Sequence, residues 1–233
     1  MAYALVTGSA KGIGKAIIEK FAANDFDIIT CARNETELVD YQALIEKKYA
    51  IKCFIKTADL SKKEEVLAFA DFIKSLNRTI DILVNNTGTF SPGQVHNEAD
   101  GILEKLIETN LYSAYYLTKN LIENMKNRQV GHIFNICSIA SFMAYPNGGS
   151  YSISKFAMLG FSKVLREEIK TFGVKVTSIM PGATLTDSWA GVDLPESRFM
   201  KPEDVAEAIF AAYNLSKNTV LEEIILRPQL GDI

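Results

Sequence analysis

Short runs of β-branched and apolar residues alternate with longer amphipathic segments, and this alternation limits the fold more than any other feature of the chain. The runs fall at 3–7, 26–32, 51–57, 80–85, 132–137, 174–180 and 220–226, with helical periodicity near 13–24, 35–49, 62–77, 99–127, 151–172 and 203–215. Strand–helix–strand units close as parallel pairs with right-handed crossovers. The expected fold is therefore α/β: a single-domain, doubly wound sheet of seven mainly parallel strands with helices on both faces, spanning 1–233. Local signals refine it. Ser61 with Glu64 three residues on reads as a capping box. Gly173 stands where a C-cap ends a helix, and Pro202 in the first turn of another. The stretch 184–201 has no periodicity and holds the sole tryptophan, Trp189, so it reads as a mobile lid.

Composition excludes several classes of function. With 25 basic and 28 acidic residues, the net charge of −3 gives no electrostatic reason to bind nucleic acid or an anionic membrane. Three scattered cysteines (Cys31, Cys53, Cys137) and two histidines (His96, His132) form no metal-ligand spacing, so no metal is expected. Unpaired thiols suit a reducing compartment. No basic leader precedes the first apolar run, and no apolar stretch approaches the ~20 residues of a membrane helix, so the expected location is the cytoplasm. His96 in a polar loop and His132 at a strand start read as structural.

Two clusters carry chemistry. The first strand runs into Thr7-Gly8-Ser9-Ala10-Lys11-Gly12-Ile13-Gly14 and then a helix. Such a loop brings backbone close to a pyrophosphate, and the helix offers it free N–H groups and a positive dipole end. In the second cluster, Tyr151 and Lys155 stand one helical turn apart and share a face. A phenol is a poor acid and base at neutral pH, and a neighbouring ammonium favours its ionised form, so Lys155 is the expected tuner of Tyr151. Ser138, at a strand end beside the expected crevice, can donate a hydrogen bond to a substrate oxygen.

The GxxxGxG spacing at 8–14 and the YxxxK pair resemble the short-chain dehydrogenase/reductase family, a Rossmann-type fold, and the likeness extends over the whole chain. The resemblance implies NADP(H) or NAD as cofactor and hydride transfer between a nicotinamide and a carbonyl/alcohol pair. It makes Asn110, Ser138, Tyr151 and Lys155 the catalytic set, with Asn110 organising a water-linked proton relay. Cofactor contacts are implied at Gly8, Ser9, Lys11, Gly12, Ile13 and Gly14, at Asp59 and Leu60 against adenine, and at Asn86 and Gly88. In Asn85-Asn86-Thr87-Gly88, Thr87 departs from the family's alanine. Pro181, Gly182, Thr184 and Thr186 resemble the segment that faces the nicotinamide carboxamide. Tyr151 and Lys155 would also touch the cofactor. At the end of the second strand, Ala32 stands where a carboxylate would select NAD, and Arg33 follows it. With Lys11, two cations and no carboxylate suit the 2′-phosphate of NADP.

The expected substrate wall is apolar and aromatic: Phe90, Ala140, Phe142, Tyr145, Trp189 and Phe199. The tail at 220–233 resembles bacterial sepiapterin-reductase-like members, which implies Asp232 as a partner for a pterin ring. A 3-oxoacyl thioester or a small dicarbonyl is the alternative substrate, and a non-catalytic NADP-binding sensor the alternative function. The stripe Leu103, Leu106, Ile107, Leu111, Leu117 and Leu121 is core or subunit interface, and the family resemblance implies a homodimer or homotetramer.

Overall fold

A computed structural model describes residues 2–189 and 191–233. Seven strands, β1 (Tyr3–Thr7), β2 (Asp27–Ala32), β3 (Cys53–Thr57), β4 (Ile82–Asn85), β5 (Gly131–Ile136), β6 (Val174–Pro181) and β7 (Glu223–Leu226), form one sheet. Their order is β3-β2-β1-β4-β5-β6-β7. Every pairing is parallel, where the sequence led us to expect a mainly parallel sheet. The helices are α1 (Gly12–Ala22), α2 (Glu35–Tyr49), α3 (Lys63–Ser75), α4 (Ile102–Ile107), α5 (Ser113–Arg128), α6 (Gly149–Ile169) and α7 (Pro202–Tyr213).

Because side chains alternate along a strand, β1 feeds two cores at once. Ala4 and Val6 pack with Ile17, Phe21 and Ile209 under α1 and α7. Tyr3 and Leu5 pack with Phe69, Leu117 and Leu165 under α3, α5 and α6. Burial on both faces explains why the central strands β1, β4 and β5 read as nearly continuous apolar runs. Sheet order reverses where β1 lies between β2 and β4, and the C-terminal ends of those strands flank the crevice in which such folds bind ligands.

Some local expectations change. The helix expected over 99–127 divides into α4, a π-helical turn Glu108–Tyr112 and α5. The capping box at Ser61 does not form. The Ser61 hydroxyl donates instead to Asp59 (2.8 Å), Lys62 caps α3 without a side-chain bond, and Glu65 accepts the Asp59 N–H (2.6 Å). Gly173 ends the α6 region in the left-handed conformation, and Pro202 opens α7. In the apolar stripe, Leu106, Leu117 and Leu121 are core, while Leu103 is exposed. Segment 184–201 contains two short 3-10 turns, and its ends are tied where Thr184 bridges Met200. No helix among the described residues is long and apolar enough to cross a membrane.

His132 sits inside β5, buried and stacked on Phe134. Its Nε2 lies 2.7 Å from the Thr177 hydroxyl, which itself donates to the Leu221 carbonyl. Thr177 must therefore accept from His132, which assigns the proton to Nε2 and leaves buried Nδ1 without a protein partner. Burial, assisted by the Lys175 charge, pushes the pKa down to about 3. An unfolded histidine binds a proton near pH 6.5. Above that pH the group has no effect on stability. Between 6.5 and about 3 the unfolded chain takes up a proton that the native state refuses, costing about 1.4 kcal/mol per pH unit. Urea midpoints are expected to fall across this window, and His132→Gln to remove that part of the fall. An unchanged acid slope in the variant would refute the assignment.

Candidate active site

The C-terminal ends of β1, β4, β5 and β6 bring the predicted residues to one edge of the sheet. The turn after β1 is braced by β4. Thr7 Oγ1 accepts the N–H groups of Asn86 and Thr87 (3.0 Å each), and the Asn86 amide donates to the Thr7 and Gly8 carbonyls (2.8 and 2.9 Å). The Asn86 backbone N–H and side-chain nitrogen thus both hold the loop. Ser9 is buried, its hydroxyl on the Cys31 carbonyl (3.3 Å), and Ile13 packs on the core beneath α1. Lys11 precedes α1 with no side-chain cap, so first-turn N–H groups stay available to an anion. A Cβ on Gly14 would collide with the Gly8 carbonyl and lie 2.5 Å from the Asn86 amide nitrogen. The loop therefore closes only around glycine there, leaving a cradle of bare backbone that fits a pyrophosphate.

The charges around this cradle correct one expectation. Lys11 lies 3.6 Å from Glu37 and 3.8 Å from Asp187, and Arg33 faces Asp59. Partial burial raises the Asp59 pKa, but hydrogen bonds from Ser61 and the charges of Arg33 and Lys62 outweigh it and hold the carboxyl below its usual range. Ala32 itself remains without a carboxylate, yet three acids arrive from other segments. Leu60 is buried beside Asp59. Across the mouth of the loop, the Thr186 methyl lies 3.0 Å from where a Cβ on Gly12 would stand, so the start of segment 184–201 covers the glycine turn. Thr184 bonds the Gly182 carbonyl (3.0 Å), and Pro181 accepts from Ser138 (3.5 Å).

Ser138 follows β5, and Tyr151 and Lys155 project from the first turns of α6. The Lys155 ammonium is buried, donates to the Ile136 carbonyl (2.9 Å) and lies 5.9 Å from the centre of the Tyr151 ring. It also stands 3.5 Å from the Cβ position of Gly88. Burial raises the Tyr151 pKa, a hydrogen bond with Ser138 pulls it down, and the Cys137 thiol adds to the rise. Burial lowers the Lys155 pKa, with Cys137 opposing. Burial is thus the first influence on each of the two groups.

Asn110 lies in the π turn, where an extra residue redirects the side chain. Its amide accepts from Thr89 N–H (2.7 Å) and donates to the Thr89 carbonyl (3.0 Å) and the Ser154 hydroxyl (2.9 Å). Ser154 in turn donates to the Tyr151 carbonyl (2.7 Å). Asn110 thus reaches Tyr151 through Ser154, a residue that sequence reasoning missed. The only signal was its place one turn beyond Tyr151.

Of the expected substrate residues, Phe90 packs edge-on against Tyr151 (4.9 Å), and Ala140 is buried with its N–H on the Ser138 hydroxyl (3.1 Å). Tyr145 is exposed at the rim near Tyr151, and its partial desolvation together with the Tyr151 charge pushes its pKa up to about 12. A cavity of about 390 Å³ opens beside it, lined also by Val95, Ala144, Ile153 and Phe156. Phe142 is exposed, while Trp189 and Phe199 pack on each other (5.2 Å). Asp232 is not a free acceptor: Arg227 grips its carboxylate, through Nε at 3.1 Å and through Nη2, beside Gly182.

Residues 2–196 match the short chain dehydrogenase family. The chain belongs to that family of oxidoreductases. The chain is 34% identical to a sepiapterin reductase of Chlorobaculum tepidum, across 98% of this chain and 97% of the relative's. A solved L-sorbose reductase from Gluconobacter frateurii, complexed with NADPH and L-sorbose, is 27% identical. It superposes with a TM-score of 0.88 over 97% of this chain and 95% of that one. An alcohol dehydrogenase from Thermococcus sibiricus shares the fold with a TM-score of 0.91 at 24% identity, over 100% and 99% of the two chains.

Proposed function

We propose that this protein is an NADP(H)-dependent reductase that converts a carbonyl to an alcohol. The observation that carries the proposal is the convergence of Ser138, Tyr151 and Lys155 at the sheet edge beside a glycine loop shaped for a pyrophosphate. The loop at 8–14, Gly88 and the 181–186 segment would hold the dinucleotide. When bound, it supplies the hydride. The Ser138 hydroxyl orients the substrate oxygen, and Tyr151 delivers a proton to that oxygen as charge develops on it. Lys155, fixed on the Ile136 carbonyl, supplies positive charge beside the phenol, and Asn110 holds the α6 turn through Ser154. Phe90 keeps water from one side of the Tyr151 ring.

For the substrate we propose sepiapterin or a small dicarbonyl. The 34% identical sepiapterin reductase supports this, as does Asp232, which stands beside Gly182 near the reactive edge. Because Arg227 already binds the carboxylate, a pterin's N–H donors would share it with that guanidinium. NADPH oxidation should be followed with sepiapterin, a diketone and an acetoacetyl thioester. Preference for the thioester would make the protein a 3-oxoacyl reductase. NADPH binding without turnover of any of them would make it a sensor. Three buried, unpaired thiols support a reducing compartment, the cytoplasm. Exposed Tyr112, Tyr115, Ile153 and Phe156 on α5, α6 and the π turn support self-association, and a sedimentation mass of one chain would count against it.

Arg33 is exposed and faces Asp59 without a close ion pair, so it can turn to a 2′-phosphate, whereas Lys11 must first leave Glu37 and Asp187. Arg33→Ala is expected to weaken NADPH binding about 10- to 100-fold while leaving NADH nearly unchanged, the loss of one charge-assisted contact. Ala32→Asp should shift preference toward NADH by repulsion. Fluorescence titration reads both, and equal NADH and NADPH affinities in the unmutated protein would refute the role of Arg33.

A further inference from the structure

The first turn of α6 carries Tyr151, yet it is not capped in the usual way. Its N-cap is Gly148, which has no side chain to accept the exposed N–H groups. The acceptor comes from 52 residues away. Both carboxylate oxygens of Glu98 take the Ser150 N–H (3.0 and 3.3 Å), and one also takes the Ser150 hydroxyl. Ser150 is buried, directly before Tyr151.

The surroundings are shaped around that carboxylate. A Cβ on Gly149 would overlap it, and one on Gly93 would lie 2.5 Å from its oxygen. Gly93 pairs with Gly148 and donates to the Asn147 carbonyl (3.0 Å). The segment between Gly88 and Glu98 is therefore fastened at three points: to Asn110 at Thr89, to Asn147 at Gly93 and to Ser150 at Glu98. Between the first two fastenings, Phe90 presses on the Tyr151 ring.

We propose that Glu98 is a positioning residue for the proton donor: its carboxylate holds the first turn of α6, and with it the Tyr151 phenol, at the substrate oxygen. It touches no reacting atom and acts only through Ser150 and the strap at 88–98. The proposal rests on the reductase reading of the same site. It adds to the mechanism a carboxylate that no sequence motif marks.

The test uses the full chain with Glu98→Ala and Glu98→Gln. Hydrogen exchange of the 149–155 amides, measured by mass spectrometry, requires no turnover. Glu98→Ala should raise exchange there about tenfold. On a substrate that the unmutated protein reduces, kcat should fall about 10- to 100-fold, as expected for a misplaced catalytic group. NADPH affinity should fall much less than kcat: no bond from Glu98 reaches the glycine loop, although Gly88, Tyr151 and Lys155 lie on the strap and turn it holds. Glu98→Gln keeps an acceptor for the Ser150 N–H and should restore both the protection and most of kcat. A role limited to general stability would lower the melting temperature without this separation of kcat from NADPH affinity, and without rescue by glutamine. Unchanged exchange in Glu98→Ala overturns the proposal. So does raised exchange with an unchanged kcat. If the unmutated protein reduces no carbonyl, the reductase reading fails by itself, and the exchange data alone decide whether Glu98 holds the turn.

Discussion

Tyr151→Phe should fold, bind NADPH with unchanged affinity and lose carbonyl reduction by at least about 10³-fold, near the upper range for removing a general acid. The substitution deletes one atom. The ring remains to meet the edge of Phe90 at 4.9 Å, and the helix contacts of α6 are untouched. Only the phenolic oxygen that pairs with Ser138 disappears. Because burial keeps that oxygen protonated and its one side-chain partner, Ser138, keeps its own bonds to Pro181 and Ala140, the melting temperature should change little. Steady-state NADPH oxidation, a dinucleotide titration and a thermal melt together separate the outcomes. A variant that kept a tenth of the activity would remove Tyr151 from the mechanism.

The second large effect is expected at Gly14. A methyl group there would strike the Gly8 carbonyl and the Asn86 amide, and neither can retreat. Asn86 is bonded to the Thr7 and Gly8 carbonyls, and Gly8 N–H bonds the Cys31 carbonyl (3.2 Å), so moving one loosens the whole turn. Gly14→Ala is expected to cost on the order of 3 kcal/mol of stability, to lower the melting temperature by roughly 6–12 °C and to weaken dinucleotide binding at least about 100-fold. Gly160→Ala is the matched control. It lies in α6, where a Cβ meets nothing within 4 Å in the single chain, so alanine should be tolerated without loosening the glycine turn and should leave dinucleotide binding alone. If both substitutions behaved alike, the cradle geometry would be wrong.

Much of the fold was legible because its signals are local. The central strands are runs of residues buried on both faces, and each crossover is a helix with one apolar face, so β1 was placed to the residue and the remaining strands, the more exposed edges β3 and β7 included, within a few positions. Where boundaries shifted, as at Ile51 and Ile80, the residues are buried but stand outside the strands. Apolar content signals burial and not pairing. Local competition also decided the α3 start, where Asp59 captured the Ser61 hydroxyl that a cap would have used.

The chemistry divides along the same line. Spacing alone put Tyr151 and Lys155 on one face of α6 and marked 8–14 as a strand-to-helix turn, whereas the Asn86 and Thr87 bonds that brace the turn come from β4. Tertiary structure alone joined Asn110 to Tyr151 through Ser154, set Glu98 against Ser150, brought acids to Lys11 and Arg33, and closed Arg227 on Asp232. It also decided the balance of the Tyr151–Lys155 pair, since desolvation depends on everything packed around two groups and no spacing records it. Periodicity specifies which face of an element turns inward. Which polar group it meets there is set by how elements 40 or 50 residues apart come to rest on one sheet.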